Sequence, residues 1–391
     1  MTVQRPEEDA PVWPLSRSWL REASRRELLP VWFVLGVWTV LWSAYAVQNL
    51  LMRSWGIFPD AARILFSGRA TGGLHLYALR PDFQFGPVSV LVAAPLAGLP
   101  LHESKWIAGV LMTVVGLWLV AVIAGSRAHD VGVPAPQPLL VGGLLVMPVW
   151  PLLSLTSGHL DDVLALGLGI FGILHVQRHH PVWAAALLAL AVDSKPWALP
   201  FGVALLALPR RHWPKTVVVF GGLIAAAWLP FFIADPATIA AVKFQLHISY
   251  GSVLALFHLS GPIPPWVRPA QLVVAVGLGI LAVRARVLQA ILLATVAGRI
   301  LLDPAIASYY TAGAVMVAFF MDRSRTWRLP WFTVAVVVLL WAPQLVQPGN
   351  DWYLVTRWLR FLWGVGTLAA LVLTLLRHGR PAVARQSRSA A

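Results

Sequence analysis

Asp60 lies just past the first long apolar run, in Gly56-Ile57-Phe58-Pro59-Asp60-Ala61-Ala62-Arg63. A carboxylate in a partly desolvated cavity can take a proton from an attacking hydroxyl. The same residue, after a proline that ends one helix, equally suits the cap of the next, where an acid accepts N–H bonds and complements the dipole. Lys195 sits in the apolar stretch Leu190-Ala191-Val192-Asp193-Ser194-Lys195-Pro196-Trp197. Such a cation can hold a phosphate, or pair with Asp193 and snorkel toward the surface. Gly158-His159-Leu160-Asp161-Asp162 places three ionisable groups between two apolar runs. They serve as helix caps and solvated charge, or as a binding cluster, because burying them unpaired is costly. Their spacing matches no established zinc or calcium pattern.

Other groups have weaker local signatures. Arg299 lies one turn inside an apolar run, with Asp303 four residues on as a helix-surface partner, and Tyr309-Tyr310 follows. His247 and Tyr250 are candidate cavity residues, and Asp82 precedes the aromatic turn Phe83-Gln84-Phe85-Gly86-Pro87. That turn reads as a loop on the membrane interface or as the lip of a cavity.

The elements that must position these groups follow from composition. Of 391 residues, 58% are hydrophobic and 12% charged, and mean hydropathy is +0.73. Apolar runs of about 17–20 residues indicate transmembrane helices, and their continuity excludes an alternating β-barrel. The expected fold is all-α and polytopic, with about 12 spans between the runs at 30–51 and 358–376. The run at 88–101 is short and contains proline, so it is expected to stay outside as a juxtamembrane or re-entrant segment, or a shallow helix. The pair within 182–208 is expected as two short helices or one broken hairpin. The absence of cysteine rules out disulfides and thiol chemistry, and twenty tryptophans suit interfacial belts.

A net charge of +14 raises the question of nucleic acid. The basic residues fall in short clusters between apolar runs, however, as the positive-inside rule requires, so no nucleic-acid partner is expected. Arg178, Arg210-Arg211, Arg284, Arg286, Arg323 and Arg377 then face the cytoplasm with both termini. The expected organisation is a cytoplasmic segment 1–27, a transmembrane region 28–377 with a long first outer loop 53–105, and a cytoplasmic tail 378–391. No cleavable signal peptide is expected, because the first apolar run is long enough to remain as a span. Asp60, Asp82, His159, Asp161, Asp162, Lys195, His247, Tyr309 and Tyr310 gather on the extracytoplasmic face of a cell membrane.

The order of these features resembles a known group. Asp60 in a long outer loop is followed by Gly68, His75-Leu76-Tyr77, Phe83-Gln84-Phe85-Gly86-Pro87, Gly158-His159, and Ala191 with Lys195-Pro196. Together they resemble the GT-C membrane glycosyltransferases, most closely glycosyltransferase family 87, the polyprenyl-phosphate-mannose-dependent mannosyltransferases of actinobacteria. Two positions depart from the family's usual pattern: His159 where Gln is frequent, and Phe85 where Tyr is frequent.

The resemblance implies transfer of a sugar, with mannose favoured, from a polyprenyl-phosphate donor to a lipid-linked or glycan acceptor, with inversion. It implies Asp60 as general base. Lys195, His159 and Arg63 would bind the donor phosphate, and Asp82, Asp161, Asp162, His247, Tyr309 and Tyr310 the substrates. No cofactor is expected, since cations can stabilise a phosphate leaving group without a metal, although a divalent ion is left open. The alternatives are a transporter or flippase of lipid-linked sugar, or a scaffold subunit. Transporters commonly carry paired repeats and mid-membrane charge; here no repeat is evident and the charges sit at helix ends.

Overall fold

The computed structural model describes residues 25–48, 52–68, 72–126, 136–244, 246–305, 307–324, 329–346 and 352–378. Most of the expected segment 1–27, the tail beyond 378, and Asp351 lie outside the described residues. Among the described residues there is no strand, only an isolated bridge between His247 and Pro262. In hydrocarbon every backbone polar group must be satisfied within the segment, and helices do this locally.

Six described helices are long and apolar enough to cross a bilayer alone: Leu28–Val47, Leu101–Gly125, Leu160–Gln177, Arg210–Ala234, Val267–Ala285 and Tyr353–Arg377. That is fewer than the twelve runs in the sequence, because proline and polar residues break several runs into shorter helices. Pro136–Val146, Pro181–Ser194, Pro196–Ala207, Gln289–Leu302 and Trp331–Leu345 are such pieces. The stretch expected to stay out of the membrane forms a short helix, Pro87–Leu96, too short to span at 1.5 Å per residue.

Contacts between elements sort their ends into two groups. At one end Met52 N–H donates to Leu155 O (2.8 Å), Gly86 N–H to Ser194 O (2.9 Å), and Ser249 N–H to Pro304 O (2.8 Å). His75 meets Asp235 there at 3.0 Å, and Gln344 donates to Thr311 Oγ1 at 2.9 Å. At the other end Arg323 donates to Ala124 O at 3.0 Å. Asp322 accepts there from the N–H groups of Phe332 (3.2 Å) and Thr333 (2.9 Å). Helices Leu101–Gly125, Leu160–Gln177 and Tyr310–Arg323 therefore run from the first end to the second. The core between them is aliphatic and aromatic, with Trp55 and Trp150 fully buried. Each buried indole finds an acceptor, Ser104 Oγ at 3.0 Å and Met112 O at 2.9 Å, as burial of its N–H requires.

The 182–208 region is a hairpin. Pro181–Ser194 climbs to the first end, Lys195 is extended (φ −149°, ψ 113°), and Pro196–Ala207 returns in tighter 3-10 turns. Pro196 causes the break, because its ring disfavours helical geometry at the residue before it. The segment 83–87 packs directly on this corner. A Cβ on Gly86 would lie 1.8 Å from Asp193 O, so only glycine lets the two backbones approach this closely.

Gly86→Ala is therefore expected to push the first outer loop off the hairpin and destabilise the protein by about 1–3 kcal/mol. Thermal unfolding of the detergent-purified variant checks this. An unchanged midpoint would mean that the loop is not seated on Ser194.

Candidate active site

The first end carries a buried lattice of charge. Leu152–Ser157 widens to i→i+5 hydrogen bonding and stops at Gly158, whose left-handed backbone (φ 72°) turns the chain. Such wide turns recur at functional sites. Helix Leu160–Gln177 starts at once, with Asp161 and Asp162 in its first turn. Both are buried, at 1% and 3% exposure, rather than solvated as simple caps would be.

Each carboxylate meets its own cation. Lys195 donates from Nζ to Asp161 Oδ2, and His159 Nδ1 lies 3.3 Å from Asp161 Oδ1. Asp162 Oδ1 accepts from Arg299 Nη1 at 2.9 Å and from Trp197 Nε1 at 2.8 Å. Arg299 also reaches Asp303 at 3.4 Å, four residues along its helix. Its guanidinium lies between two rings, 4.1 Å from the Tyr310 centroid and 4.7 Å from that of Trp197. His159 stacks on Tyr309 with centroids 4.0 Å apart. A small cavity opens among Asp162, Trp197, Arg299, Tyr309 and Tyr310.

The structure thus brings together His159, Asp161, Asp162, Lys195, Tyr309 and Tyr310. Lys195 does not pair with Asp193. The extended backbone at Lys195 sends the two side chains apart, and Asp193 is buried on the side of Tyr77 and Trp228. Arg299 does form the expected pair with Asp303, but its shorter contact is to Asp162. The unforeseen member is Trp197. Its signal was a tryptophan two residues beyond a buried lysine, whose N–H needs an acceptor.

His159, Asp161 and Asp162 offer ligand atoms within 4.8 Å of one another, close enough to hold a divalent ion. Lys195 and Arg299 already neutralise the two carboxylates, so a metal would compete with both.

Asp60 and Arg63 sit apart from this lattice, on helix Ile57–Leu65. Pro59 falls in that helix's first turn rather than ending an earlier one, and the cap position is Gly56. Asp60 accepts from Arg63 Nη1 at 2.7 Å, and Arg63 is tethered through Nε to Ala97 O at 3.0 Å. The Asp60 side chain is 56% exposed. Phe58 on the same helix packs on Phe85 (4.6 Å), one residue before the contact of Gly86 with the Lys195 corner. Asp82 is exposed and bound by Arg80 at 2.8 and 2.9 Å. The Arg80 hydrogen bonds hold its carboxyl below the usual range. His75 does the same for Asp235. His247 is exposed in the loop bridged to Pro262, outside the cavity, and Tyr250 is 82% exposed.

The family model for glycosyltransferase family 87 matches residues 83–304, more than half of the chain. The match takes in the Phe83–Gly86 turn, His159, Asp161, Asp162, Lys195, Arg299 and Asp303, and begins after Asp60. No curated protein matches the chain.

Removing one partner of a buried ion pair strands the other charge, at a cost of about 3–5 kcal/mol. Lys195→Met and Asp161→Asn are each expected to lose stability on that scale, and the double variant is expected to lose less than their sum. A double-mutant cycle on thermal unfolding tests the coupling; additive losses would mean that the pair does not form.

Proposed function

The chain belongs to glycosyltransferase family 87, and on that premise we propose that it transfers a hexose, mannose in the favoured case, from a polyprenyl-phosphate donor to a lipid-linked or glycan acceptor. The chain is a membrane glycosyltransferase with many apolar helices. The observation that carries the finer reading is the pair of buried cations at one end of the bundle, Lys195 on Asp161 and Arg299 on Asp162, the latter lining the small cavity. The positive-inside pattern supports an extracytoplasmic setting for that end.

In the proposed reaction the acceptor hydroxyl oxygen attacks the anomeric carbon as the bond to the phosphate oxygen breaks. The bond electrons leave with polyprenyl phosphate, whose new charge falls to Lys195, with His159 beside it and Arg63 reached from the loop. Cations held in place before the reaction stabilise such charge without reorganising. The hydroxyl proton passes to Asp60, which is open to water and can release it. A single base acting by direct displacement inverts the anomeric centre; a covalent route would need two carboxylates about 5–5.5 Å apart flanking the sugar. Asp161 and Asp162 orient the cations, and Tyr309 and Tyr310 supply an aromatic wall for the sugar. Asp82 and His247 lie on loops at the same end, where a bulky acceptor would meet them.

Asp60→Asn is expected to lower sugar transfer by about 10²–10⁴-fold, the usual contribution of a general base, with expression and unfolding unchanged. Membranes supplied with radiolabelled polyprenyl-phosphate-mannose, at matched protein levels, provide the assay. Equal transfer by variant and wild type would remove Asp60 from the mechanism. Translocation of the lipid-linked sugar without transfer would favour a flippase instead.

A further inference from the structure

A second and larger cavity lies at the end of the bundle opposite the charged lattice. Its volume is about 600 Å³, within the roughly 300–1,000 Å³ typical of small-molecule sites. His179, in the turn after Leu160–Gln177, borders it, as do Arg210 at the foot of the hairpin, Trp213 at the start of the next helix, and Arg284 in the last turn of Val267–Ala285. His179, Arg210 and Arg284 sit at the ends of elements that Asp161, Lys195 and Arg268 begin at the other end, and Trp213 starts the helix that ends at Ala234.

The lining divides by polarity. Arg210 and Arg284 are exposed and come from different elements. Among the described residues neither has a carboxylate partner, whereas the arginines of the charged lattice and outer loop, Arg63, Arg80 and Arg299, all do. Trp213 lies beside Arg210, with the guanidinium carbon 5.9 Å from its ring centroid. The Trp213 N–H donates to Leu208 O at 2.9 Å, which fixes the ring at the rim. Beside these cations Leu206 and Ile280 remain 44% and 37% exposed. Two unpaired cations, an interfacial tryptophan and an apolar wall in one cavity match an amphiphile with an anionic head and a hydrocarbon tail. Basic pockets between membrane helices bind phospholipid head groups for this reason. Among the described residues no acidic side chain lines the cavity to receive a choline or ethanolamine ammonium, so a net negative head group is favoured over a zwitterionic one.

We propose that this cavity binds one anionic phospholipid, its phosphate between Arg210 and Arg284 and an acyl chain along Leu206, Ile280 and Val283. The lipid is a bound component distinct from the sugar donor, because the cavity is separated from the charged lattice by the length of the hairpin.

Native mass spectrometry of the full-length, delipidated protein, titrated with phosphatidylglycerol, phosphatidylcholine or inorganic phosphate, tests this. Phosphatidylglycerol is expected to be retained in preference to phosphatidylcholine. Arg210→Gln with Arg284→Gln is expected to weaken it about tenfold or more, on the scale of two basic contacts. Arg377→Gln, a basic residue outside the cavity, is expected to leave retention unchanged. Equal retention of both lipids, an equal loss in Arg377→Gln, or full competition by inorganic phosphate would overturn the proposal. Should the double variant fail to fold, photoactivatable phosphatidylglycerol on the wild type gives the answer. Crosslinks concentrated at 206–213 and 280–284 support the site, and labelling spread evenly over the bundle overturns it.

Discussion

Two adjacent carboxylates at the start of one helix, Asp161 and Asp162, each draw in a cation from a different element, Lys195 from the hairpin corner and Arg299 from helix Gln289–Leu302. Ions in such a setting are tolerated only when paired and hydrogen-bonded. This condition fixes where three elements can sit. Arg299 carries the condition further, since its contacts include Asp303 and the rings of Trp197 and Tyr310. The Asp303 backbone carbonyl in turn accepts from Ser252 at 2.6 Å. The loop that covers this end is thereby joined to the same lattice.

Small backbone devices make the lattice possible. Gly158 takes a left-handed turn that places both acids in the first helical turn rather than the last. Pro196 forces Lys195 out of the helix, and the extended backbone directs its side chain at Asp161 and away from Asp193. Gly86 lets the first outer loop lie against the same corner, so the loop bearing Asp60 is indexed to the residue beside Lys195. Side-chain chemistry and backbone geometry thus converge on one corner of the bundle.

Much of this was legible from the residues alone. The helical class follows from the apolar runs, and the short 87–96 helix from its length and prolines. The hairpin break follows from the residue pair Lys195-Pro196. His159, Asp161, Asp162, Lys195 and the two tyrosines could be named because ionisable and aromatic groups concentrated at one set of helix ends. Pairing was not legible. Asp193 stands two residues from Lys195, yet the bond goes to Asp161, 34 residues away, because contact depends on which way an extended residue points and not on spacing. Trp197 and the Asp162–Arg299 contact were hidden for the same reason: their partners are 35 and 137 residues apart. The second cavity left only scattered basic residues in the sequence, which read equally well as topology signals.

The two halves of the proposed chemistry ask for opposite surroundings. A cation that stabilises a leaving phosphate gains strength from exclusion of water, and Lys195 and Arg299 side chains are only 13% and 12% exposed. A base that must shed its proton after each turnover gains from contact with water, and Asp60 is more than half exposed. Placing both on one element would compromise one of them. The proposed assignment puts them on a packed helix corner and a surface helix, which are joined through the Phe58–Phe85 contact and the Gly86 N–H bond to Ser194 O. Arg63, tethered to Ala97 O, bonds one oxygen of Asp60 and leaves the second free of that ion pair.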